Sequence, residues 1–101
     1  MIIYKFEEEL KYAMYYAKKL NDDATIKILE LGEVKNSNEA THLSEFFWKI
    51  VDASIEDEKQ DTELPWREGA EFWNEKIMNS LSAYLERAGY EKEWDDVVDQ
   101  Q

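Results

Sequence analysis

The chain has 101 residues, a formal net charge of −12, 44% hydrophobic and 14% aromatic residues, and no cysteine. That length fits one domain, 1–101, with a single modest core. The aromatic content excludes a disordered chain, and the lack of cysteine excludes disulfides, thiolate metal sites and cysteine nucleophiles. The acidity works against direct binding to nucleic acid or to an anionic membrane.

The first element expected is a helix from Ile3 to Leu20, with Ile3, Phe6, Leu10, Ala13, Met14, Ala17 and Leu20 on one stripe. Tyr12 and Tyr15 fall off that stripe; cover by neighbouring helices of the bundle is the expected reading, and exposure is the alternative. Asn21-Asp22-Asp23 ends this helix and can cap the next element. Residues 24–31 read as a short helix closed by Gly32. The alternation of Ile26 and Ile28 leaves a strand as the alternative. Asn36 caps a helix from Ser37 to Glu58, with Ala40, Leu43, Phe47, Ile50 and Val51 inward, Phe46 on the flank and Trp48 off the stripe. Pro65 suits a helix first turn and begins a long helix to Ala88, closed by Gly89. Trp94, Val97 and Val98 suggest a last short helix. The expected fold is all-α: a small bundle of three long amphipathic helices with one or two short ones.

No pattern points to catalysis, a cofactor or a metal. The single histidine, His42, lies on the polar side of its helix, and the E-x-x-H pair it makes with Glu39 is one pair where a dinuclear site needs two. Glu39 instead suits a capping-box-like role with Asn36. No glycine-rich loop cradles phosphate, and the acidic stretch 52–63 lacks the central glycine of a calcium loop. The N-terminus lacks the basic region of a secretory signal. The chain is expected to be a cytoplasmic protein, not an enzyme, with no cofactor.

The strongest pattern is charge. Residues 1–51 hold nine acids and seven bases; residues 52–101 hold fifteen acids and five bases. Within the second half, Glu56, Asp57, Asp61 and Glu63 lead into the long helix. Glu68, Glu71 and Glu75 recur at i, i+3 and i+7, stacking on one face with Phe72 beside them. Asp95 and Asp96 add charge near the C-terminus. Acidic side chains flanking an off-stripe aromatic resemble an interface anchor. These ten residues form the expected partner-binding set.

The expected partner is a basic protein surface, such as that of a nucleic-acid-binding protein, because spaced carboxylates imitate phosphates. In size and charge the chain resembles phage antirestriction and anti-CRISPR proteins and the immunity proteins of nuclease toxins. The resemblance extends to no motif. The bland reading is a solvating surface. Two further alternatives are a structural or oligomerisation domain, with off-stripe aromatics forming a homodimer seam, and an enzyme whose site has no sequence signature.

Overall fold

The computed structural model describes residues 7–60 and 69–99, and every regular element among them is helical. The elements are α1 (Glu7–Lys19), α2 (Asp23–Leu31), α3 (Ser37–Lys59), α4 (Ala70–Ala88) and α5 (Glu91–Trp94), followed by a π-helical turn, Asp95–Asp99. Among the described residues, α2, α3 and α4 are each bounded by identifiable caps.

Asn21 stands at φ 56°, and the amides of Asn21 and Asp22 turn back to the carbonyls of Lys18 and Ala17. That closes α1 and frees Asp22 to cap α2. The Asp22 carboxylate accepts the Thr25 amide at 3.2 Å and the Thr25 hydroxyl at 2.9 Å. At the other end the Gly32 amide donates to the Ile28 carbonyl. With both ends satisfied locally, residues 24–31 are helical, and no strand occurs among the described residues to pair with the extended alternative.

Asn36 is extended and accepts the Glu39 amide at 2.9 Å, while the Glu39 carboxylate accepts the Lys35 amide at 2.9 Å. This is the reciprocal logic of a capping box, returned to the residue before the cap.

α4 begins at Ala70, later than the sequence pattern suggests. Gly69, at φ 93° and ψ 166°, is outside the helical region, and the Glu58 carboxylate at the end of α3 accepts the Ala70 amide. Pro65 and Trp66 lie outside the described residues. Gly89, at φ 91°, allows the Tyr90 amide to reach the Leu85 carbonyl at 2.7 Å and its own amide to reach Glu86. A residue with a Cβ rarely adopts that backbone.

α3 packs against all the other elements, and α4 also packs against α1 and α5. Its central place explains two departures from the expected stripe. Phe46 is fully buried instead of flanking the core. Trp48 is half-buried, with its indole N–H donating to the Val97 carbonyl at 3.3 Å. On α1 the inward face is also turned from the expected one. Tyr12, Ala13, Tyr16 and Ala17 are buried, Leu10 and Met14 are only partly so, and Leu20 is exposed. Tyr15 is half-buried. α1 meets α2, α3 and α4, so its covered arc is wider than one stripe. Tyr12 stacks on Trp73 of α4 with centroids 5.7 Å apart. Each such ring contributes on the order of 2–3 kcal/mol by leaving water.

Candidate partner-binding surface

The structure separates the acidic residues into an inner group and an outer group. Asp57 is the clearest correction to the sequence reading. It is 9% exposed and cannot present its carboxylate to a partner. One of its oxygens accepts from the Tyr16 hydroxyl at 2.9 Å, and the other pairs with the Lys19 ammonium at 2.6 Å. Beside this contact the Tyr12 hydroxyl donates to the Asn74 side chain at 2.8 Å, and that amide donates to Ser54 at 2.9 Å. Together these bonds tie α1, α3 and α4 through their polar groups.

Burial pushes the Tyr12 hydroxyl up to about 12, and burial with the neighbouring Asp57 pushes Tyr16 higher still. Asp57 in turn raises the Lys19 ammonium by its hydrogen bond. Asp57 continues the buried series Leu43, Phe47, Ile50 and Ser54 at steps of three and four. An acid on a core stripe is the signal that its carboxylate has an internal partner.

The outer group lies on α4. Glu71 and Glu75 are exposed on one face. Continued at helical spacing, that face carries Met78, Ser82 and Glu86, a stripe about 22 Å long at 1.5 Å per residue. At its far end the stripe forms one wall of a cleft of about 290 Å³, with Trp94, Asp95 and Val98 opposite and Glu91 at the edge. Asp95 is half-buried there, and Asp96 is exposed. Glu86 and Glu91 escaped the sequence reading. The continuing three- and four-residue spacing from Glu71 was the available signal for Glu86, whereas Glu91 joins only through the turn at Gly89.

The remaining expected residues do not join this face. Glu56 is exposed on α3 and accepts a hydrogen bond from the Gln60 side chain at 3.0 Å. Asp61, Glu63 and Glu68 lie outside the described residues.

Phe72 is 44% exposed and borders the stripe. It meets the Trp73 ring edge-on at 5.5 Å and lies 5.2 Å from the Lys76 ammonium. Lys76 also lies 5.1 Å from the Trp73 ring and within 3.7 and 3.9 Å of the Glu8 and Glu9 carboxylates. One side of the Phe72 ring is therefore already occupied by a cation from its own helix.

His42 is engaged as well. Its Nε2 lies 2.8 Å from the Asp22 carboxylate. Burial pushes the Asp22 carboxyl up, but the contacts with His42 and Thr25 outweigh it and hold the group below its ordinary value. Among the described residues no three His, Asp or Glu side chains converge as metal ligands. No helix of the described residues is long and apolar enough to cross a membrane. No family model, curated protein or solved structure matches the chain.

Proposed function

We propose that the chain is a non-enzymatic binding module, a small helical bundle whose α4 outer face engages a basic surface on another protein in the cytoplasm. The observation that carries this reading is the single stripe of Glu71, Glu75 and Glu86, continued across the cleft by Glu91 and Asp95 and interrupted by apolar Met78. Carboxylates spaced along one edge speed encounter with a cationic surface, and exposed apolar atoms supply the short-range contact. A surface evolved for nucleic acid is the fitting partner class, and occupying it would inhibit that partner, as an antirestriction, anti-CRISPR or immunity protein does.

The test compares the parent with a Glu71→Lys, Glu75→Lys, Glu86→Lys variant in parallel captures from the native host. The proposal expects a basic protein retained by the parent, lost by the variant, released by rising salt and displaced by duplex nucleic acid. A partner held equally by the variant at physiological salt overturns it. The competing reading, a homodimer seam, is favoured by the exposure of Phe72 and Met78 on one helix. Sedimentation at tens of micromolar separates the two, because a monomer rules out the seam.

A further inference from the structure

α2 and the first turns of α3 enclose a groove of about 520 Å³ whose chemistry is opposite to that of the α4 face. α2 presents Lys27 and Leu31 to it above the buried Ile28, α3 answers with Glu39 and His42, and Lys35 from the connecting turn completes the lining. The lining is mainly apolar, and Leu31, at 52%, is the most exposed large hydrophobic residue among those described. Both lysines are exposed. Among the described residues no carboxylate is in ion-pair contact with either, in a chain with twice as many acids as bases. The Glu39 carboxylate is turned to the Lys35 backbone amide.

The walls are held at both ends. The His42–Asp22 contact joins α3 to the start of α2, and the Val34 amide donates to the Tyr84 hydroxyl at 2.7 Å, pinning the connecting turn to α4. A groove held in this way orders little on binding.

From this juxtaposition of two cations with an apolar floor we infer that the α2–α3 groove is a second docking site, for a short acidic amphipathic segment of another protein. An apolar side chain of the segment sits on Ile28 and Leu31 while its carboxylates face Lys27 and Lys35. The α2 wall is about 14 Å long, the length of nine helical residues, which matches roughly two turns of a helix laid with its apolar face inward.

The test uses the full ¹⁵N-labelled chain titrated with a short blocked Glu/Leu peptide patterned as an amphipathic helix, alongside its Lys/Leu counterpart and octanoate. The Glu/Leu peptide is expected to shift the amides of Ala24, Lys27, Leu31, Lys35 and His42 saturably. Lys27→Glu with Lys35→Glu is expected to weaken that binding about tenfold or more, with the thermal midpoint unchanged, and Leu31→Ser to weaken it severalfold. Absence of saturable shifts, or binding unaffected by the charge reversal, overturns the inference. Equal binding of the Lys/Leu peptide in the groove removes its charge basis. Tighter filling by octanoate makes the occupant a small amphiphile, and self-association abolished by the same reversal makes it a second copy. Either result overturns the assignment to a partner segment.

Discussion

Asp57 and Glu71 belong to the same acidic half of the sequence and occupy opposite situations in the fold. Asp57 is enclosed by Tyr16 and Lys19, so its charge is used inside the molecule. Glu71 stands on an exposed helix face with Glu75 on the next turn, where mutual repulsion costs a few tenths of a kcal/mol. The difference teaches that net charge measures neither surface potential nor function. Some of the −12 belongs to the scaffold, and only the remainder is available to another molecule.

The strongest way to break this division is Asp57→Ala. It leaves the Tyr16 hydroxyl without this acceptor and Lys19 without its partner. Because Lys19 reaches solvent, the expected loss is below that of a fully buried pair, about 2–3 kcal/mol by urea unfolding. A loss under half a kcal/mol would place Asp57 with the outer acids.

Alkaline pH should affect the same inner region. Tyr12 has its hydroxyl raised from 10.0 to about 12. Its contribution is therefore complete below pH 10 and disappears as pH rises through about 12, amounting to roughly 2–3 kcal/mol. Tyr16 acts in the same direction. Urea midpoints measured from pH 9 to 12 should fall steeply above pH 10, and Tyr12→Phe should flatten part of that slope. A pH-independent midpoint would contradict the burial of both rings.

Between the extremes stands Asn36→Ala, which removes the α3 cap and should cost about 1 kcal/mol. The smallest effect is expected at the outer face. Glu75→Gln relieves repulsion with Glu71 and should change stability by about half a kcal/mol or less, in the stabilising direction. Clear destabilisation there would show that the stripe supports the fold.

Most of the helical plan was legible because it is written in local chemistry. Asn21, Gly32, Asn36 and Gly89 mark helix ends through caps that depend on few other residues. The start of α4 was not, since it depends on Glu58, twelve residues earlier, reaching the Ala70 amide. The burial of Tyr12 was expected from the number of helices, but the partners that hold Tyr12 and Tyr16 were hidden for a similar reason. A tyrosine suits either surface or core until a partner for its hydroxyl is known, and Asn74 and Asp57 come from other helices. The α4 stripe was half legible. Glu71 and Glu75 follow from periodicity, whereas the cleft beyond them exists only because the chain reverses at Gly89. The α2–α3 groove left little trace in composition, because two lysines signify nothing until the fold sets them beside Leu31.

The placement of the aromatic rings also divides the molecule optically. Trp48 bonds to Val97, and Trp94 packs on Phe47 at 5.6 Å, so both indoles register the seating of the C-terminal turn on α3. Trp73, stacked on Tyr12, registers the seating of α1 on α4. Fluorescence from variants retaining one of these indoles therefore resolves two docking events at opposite ends of the chain, and shows whether they occur in one kinetic phase or two.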